Sequence, residues 1–169
     1  MDPFTDALAI PPVEMIVDAD DRILSCNRGW DAFARANGAP ALAGAALIGT
    51  PLLDFITGKV TRAFTQTLLA RVRVSGRPLI LPYRCDSSNE RRFMRMVIVS
   101  LAGGGVRLRH WLLKTEPLEQ WIPLETAMQR GRETFIRCSL CNLIKQGDAW
   151  LEPALLVRQR RLRPTRPWQ

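Results

Sequence analysis

The chain has 169 residues, 47% of them hydrophobic, enough for one packed domain of ordinary size with a small appendage. Its formal net charge of +8 gathers at the end: Arg158, Arg160, Arg161, Arg163 and Arg166 fall in the last twelve residues, which carry no acidic side chain, so the body is only mildly basic. No run approaches the roughly 20 apolar residues of a membrane span, and the opening MDPFTDALAI, with two Asp and no Lys or Arg, is unlike a signal peptide, so a cytoplasmic location with four free cysteine thiols is expected.

Residues 1–12 end in Pro11-Pro12 and read as an extended lead-in, with room for a short helix over Phe4–Ile10. Val13 to Asp18 read as an apolar strand, Asp18 to Asp21 as a polar turn, and Arg22 to Cys26 as the returning strand. Asn27 suits a helix N-cap. Trp30, Phe33, Ala34 and Asn37 then share one helical face, and Gly38 sits where a left-handed C-cap is wanted. A Gly/Ala-rich stretch leads to Pro51–Ile56, which suits a single helical turn.

Lys59 to Ser75 is the strongest helix pattern, with Val60, Ala63, Phe64, Thr67, Leu68 and Val72 on the predicted core face and Arg62, Gln66 and Arg73 opposite. Gly76 and Pro78 end it. Three strands follow: Pro78–Cys85, edge-like because of its prolines; Arg91–Ser100, apolar on both faces and therefore central; and, after Gly103-Gly-Gly105, Val106–Lys114. Residues 117–135 read as a Pro-punctuated linker and a short helix from Pro123. Residues 136–157 hold a CxxC segment, and residues 158–169 an Arg/Pro-rich tail.

The hairpin, the Asn27 cap, Trp30 and Asn37-Gly38 resemble the start of a PAS sensor domain. The order β-β-α-α-α-β-β-β over residues 12–116 is similar to that family's topology, and "IGTPLLDFI" is close to its usual next segment. The resemblance implies an α+β, PAS-like (profilin-like) five-stranded antiparallel sheet with helices on one face and a short C-terminal extension. It implies a ligand pocket between sheet and helices, for which Trp30, Phe33, Phe64, Leu68, Val97, Leu108 and His110 are candidates; for the aromatic and aliphatic members a solid core is the favoured reading. His110 is the only histidine, able in principle to ligate haem iron or to titrate near neutral pH. Haem is disfavoured, because such PAS domains mostly draw their histidine from the long helix and residues 59–75 contain none. The flavin photoreceptor motif is absent between Gly38 and Lys59, and Cys26 reads as a small buried apolar residue.

Tyr83-Arg-Cys-Asp86 and Arg91-Arg92 place charge across a turn, where Asp86 is expected to pair with Arg84, Arg91 or Arg92, or a guanidinium to receive a carboxylate ligand. Cys138-Ser-Leu-Cys141 has the spacing of a metal clamp, and CSLCNLIKQGDAW is similar to a segment that follows PAS domains in bacterial signalling proteins. In those proteins a second His/Cys cluster often follows; here none does. Three readings stay open: zinc, completed by Cys26, Cys85 or His110 or by a second chain; a redox pair; or a hydrophobic stub in which Leu140, Leu143, Ile144 and Trp150 pack. The tail invites a phosphate-binding reading, but with no helix-turn-helix upstream nucleic acid is not the expected partner. A stand-alone PAS sensor or interaction module without catalysis is the leading expectation, homodimeric and signalling to a protein partner, with or without a small-molecule ligand.

Overall fold

The computed structural model describes residues 12–87, 89–118, 122 and 135–159. It opens with β1 (Val13–Val17) and β2 (Ile23–Cys26), joined by a turn that Asp18 builds: its Oδ1 accepts from the backbone N–H groups of Asp20 and Arg22. Asp21 takes the left-handed conformation there, at φ 60°, which a short acidic side chain tolerates. Between β2 and the next strand come α1 (Arg28–Ala36), α2 (Gly44–Leu47) and α3 (Lys59–Ser75), with 3₁₀ turns at Pro40–Leu42 and Leu52–Phe55. Strands β3 (Leu79–Arg84), β4 (Glu90–Ser100) and β5 (Val106–Pro117) complete a five-stranded antiparallel sheet ordered β2-β1-β5-β4-β3. The fold class is therefore α+β. The edge position of β3 and the interior position of β4 agree with their sequence patterns.

Two compact units divide the chain, one drawn from Met1–Pro82 and Phe93–Lys114, the other from Tyr83–Arg92 and Thr115–Gln169. This division differs from a boundary at residue 116: the tip of the β3–β4 hairpin groups with the C-terminal segment.

In the first unit, β1 sits between β2 and β5 in antiparallel register, Met15 opposite Leu108 and Val17 opposite Val106. Period-2 alternation puts these side chains on one face, where they pack with Ile23, Leu47, Leu52, Leu68, Leu69, Val72 and Ile98. Leu69 and Val72 are fully buried, each contributing about 1.5–3 kcal/mol by leaving water.

The helix α3 runs as predicted, closed by Gly76 at φ 63°, but its core face is rotated from the expected one. Leu68, Leu69 and Val72 are buried, whereas Val60 is 79% exposed and Phe64 36% exposed. Two apolar stripes overlap in this helix, and the one carrying Leu69 buries an aliphatic side chain where the other would bury Thr67. Arg73, predicted to face solvent, instead clamps the β1–β2 turn. Its Nη2 donates to Asp18 O and Asp21 Oδ1 and its Nε to Gly104 O, at 2.7–2.8 Å.

The second unit contains a small sheet, β6 (Ile136–Arg137), β7 (Ile144–Gln146) and β8 (Ala149–Leu151), then α4 (Pro153–Arg158). Gly147 at φ 58° begins the two-residue Gly147-Asp148 turn between β7 and β8. Ile144 and Leu156 are fully buried here with Ile122, and Phe135, Leu151 and Val157 pack around them. Trp150, which only the hydrophobic-stub reading packs, is 44% exposed, because alternation along β8 turns its neighbour Leu151 inward in its place. The predicted helices at Phe4–Ile10 and from Pro123, and the tail beyond Gln159, lie outside the described residues.

Candidate functional site

The sequence points to two places, one in each unit. In the first, Asn27 positions the aromatic helix. Its Oδ1 accepts from Trp30 N at 2.9 Å and Glu14 N at 3.1 Å, while its Nδ2 donates to Pro12 O at 2.8 Å. One side chain thus caps α1 and ties it to the start of β1. Trp30 packs on the core, its Nε1 donating to Leu42 O.

Of the candidate pocket residues, Leu68, Leu108 and Trp30 share that core, and Phe33 is half-buried outside it. Val97 is buried but has the opposite strand parity to Met96 and Ile98, which do pack there. Phe64 lies at the exposed edge of α3. His110 stands opposite Val13, and burial pushes its pKa down to about 4, so the imidazole is neutral at neutral pH. Cys26 packs against the core, and burial followed by the nearby Asp31 carboxylate raises its pKa to about 11. The sequence pattern did not reveal an open groove of about 460 Å³ at the end of α3, lined by Arg71, Val72, Ser75, Arg77, Pro78 and Leu79.

In the second unit, the β6–β7 connection folds the CxxC motif into a tight reversal. Cys138 N donates to Leu143 O, and Asn142 N donates to Cys138 O; Asn142 itself is left-handed at φ 62°. The reversal aims backbone amides at sulfur. Burial opposes ionisation of Cys138, but the N–H groups of Cys141 and Leu140 and the Cys141 thiol all donate to its sulfur and lower its pKa. Burial raises the Cys141 thiol, and the Cys138 sulfur that accepts its S–H raises it further, against the N–H groups of Leu143 and of Cys141 itself. Both cysteines are free and half-buried.

The same turn is held from below by a buried charge network. Leu140 O accepts from Arg84 N at 2.6 Å, and Asn142 Nδ2 donates to Asp86 Oδ2 at 3.1 Å. Arg84 forks onto both Asp86 oxygens, and its Nη1 reaches Glu152 Oε1 at 2.7 Å. The Arg84 and Asp86 side chains are only 8% and 6% exposed. Burial by itself would raise the Asp86 pKa. Hydrogen bonds from Arg84 and Asn142, the Arg84 charge and the Arg92 N–H outweigh it and hold Asp86 below the ordinary carboxylate range.

The expected Asp86–Arg84 pair is therefore present. Glu152 and Asn142, its long-range members, left no sequence signal beyond the rule that a buried charge must be compensated. Arg91 stands near Glu116 and Glu152 at 3.8–3.9 Å. Among the described residues no group of three or more His, Cys, Asp or Glu is arranged to hold a metal ion, and no helix is long and apolar enough to cross a membrane. In comparisons with known proteins, no family model and no curated protein matches the chain.

Proposed function

We propose that the chain is a PAS-type sensor or interaction module, cytoplasmic and without catalysis of its own, that passes a cue to a protein partner or through self-association. The observation that carries this reading is the element order: two strands, three helices, then three strands, forming one five-stranded sheet whose apolar face packs with α3. The Asn27 cap, which joins β1 to α1, supports it at the residues on which the PAS resemblance rests. One histidine, no paired-carboxylate motif and no Gly-rich phosphate loop leave the sequence few groups for acid–base or phosphoryl chemistry, which supports a role without catalysis. Strand β5 is the natural route for a cue, since it belongs to the sheet that packs with α3 and its chain runs through Trp111 directly into the segment that follows Pro117.

Thermal unfolding in the presence of the small-molecule fraction of a bacterial lysate tests the proposal. A ligand at a hundredfold its Kd raises stability by about 2.7 kcal/mol, a shift of several degrees. An unchanged midpoint, together with a single monomeric species at every concentration in the ultracentrifuge, contradicts it.

A further inference from the structure

We propose that Cys138 and Cys141 form a thiol–disulfide exchange site, in which Cys138 attacks a low-molecular-weight disulfide and Cys141 resolves the product. This does not rest on the sensor reading. It rests on the construction of the turn. The reversal at residues 138–142, closed by Asn142 N on Cys138 O and by Cys138 N on Leu143 O, holds both cysteines in a single turn, the kind of proximity that a disulfide's Cα separation of roughly 4.4–6.8 Å needs. The two sulfurs already meet through the Cys141 S–H, and backbone amides converge on both: those of Leu140 and Cys141 on Cys138, those of Leu143 and Cys141 on Cys141. Those amides belong to a segment fixed at both ends, by Arg84 N on Leu140 O and by Asp86 on the Asn142 side chain. The donors are therefore in place before any thiolate forms. What distinguishes the two thiols is the S–H that Cys141 gives to Cys138: Cys138 has one donor more and Cys141 holds the shared proton, the roles that attack followed by resolution requires.

The steps balance. The Cys138 thiolate attacks one sulfur of a disulfide RSSR, forming the Cys138–SR bond and releasing RS⁻, which takes up a proton. Cys141 then loses its proton and attacks Cys138 Sγ, forming the Cys138–Cys141 disulfide and expelling the second RS⁻. The two cysteines are oxidised by two electrons and RSSR is reduced to two thiols. Two charged groups beside the turn are already committed: Arg137 Nη2 to Asn142 Oδ1 at 2.7 Å, and Asp86 to Arg84 and Asn142.

The test uses the full chain at neutral pH, with limited iodoacetamide labelling and, separately, oxidised glutathione, read by peptide-mapping mass spectrometry. Cys138 is expected to alkylate about tenfold faster than Cys141, Cys26 or Cys85. Oxidised glutathione is expected to give an intrachain Cys138–Cys141 disulfide in the wild type and a trapped glutathionyl adduct on Cys138 in Cys141→Ser. In Cys138→Ser, Cys141 should stay unmodified over the same interval. Equal labelling of the pair, faster labelling of Cys141, a wild type that remains a dithiol, or labelling blocked until a chelator removes bound metal would each overturn the proposal. The wild-type labelling order requires no variant, so a substitution that fails to fold leaves the test intact.

Discussion

Replacing Asp86 by alanine should unfasten the second unit locally. The carboxylate accepts two bonds from the Arg84 guanidinium, one from Asn142 and one from the Arg92 N–H, and its removal leaves Arg84, 8% exposed, with Glu152 as its remaining carboxylate. Breaking a buried ion pair from one side costs about 3–5 kcal/mol. Because Glu152 keeps part of the charge compensated, the lower end, about 3 kcal/mol, is expected. The readout is hydrogen exchange at the amides of β7, the central strand of the small sheet, which should accelerate about 100-fold at roughly 1.4 kcal/mol per decade. The double variant Arg84→Met/Asp86→Leu, which removes both charges and keeps the bulk, should recover more than half of the loss. Less than about a threefold change in exchange at β7 on Asp86→Ala, or a double variant worse than the single, would refute the reasoning.

Asn27→Ala removes a cap and the tie between α1 and β1 together, and should cost about 2 kcal/mol in urea unfolding, against a few tenths for an exposed site such as Val74→Ala. Gly44→Ala should cost about 1–3 kcal/mol, because the added Cβ would meet Cys26 Cβ at 2.6 Å beneath the amide that Asp31 holds. His110 has a folded pKa below its unfolded value near 6.5. Its contribution is therefore complete above about pH 6.5 and lost as pH falls toward about 4, and His110→Gln should flatten that part of the stability–pH curve by about 1–3 kcal/mol. A curve unchanged by the substitution would remove the assignment.

Local chemistry was the legible part of this chain. The Asn27 cap, the Gly76 stop and the alternation in β4 and β5 are short-range patterns, and each appears where the residues put it. The rotation of α3 was less accessible, since Val60 and Phe64 satisfy a helical period as well as Leu68, Leu69 and Val72 do. Only the opposing sheet selects between the two stripes. Arg73 reads as a solvent-facing cation, yet the carbonyls of Asp18 and Gly104, distant in sequence, capture it. At the cysteine turn the spacing of the motif was plain, but the amides of Leu140 and Cys141 acquire meaning only once Asn142 turns left-handed and Arg84 holds Leu140 O.

The claim on which the functional account depends is that this sheet and its helix α3 receive a cue and hand it on, rather than turn over a substrate. Native mass spectrometry of the protein as purified measures that most directly. A retained small molecule, a dimer, or both is the expected result; a bare monomer at every concentration would contradict it.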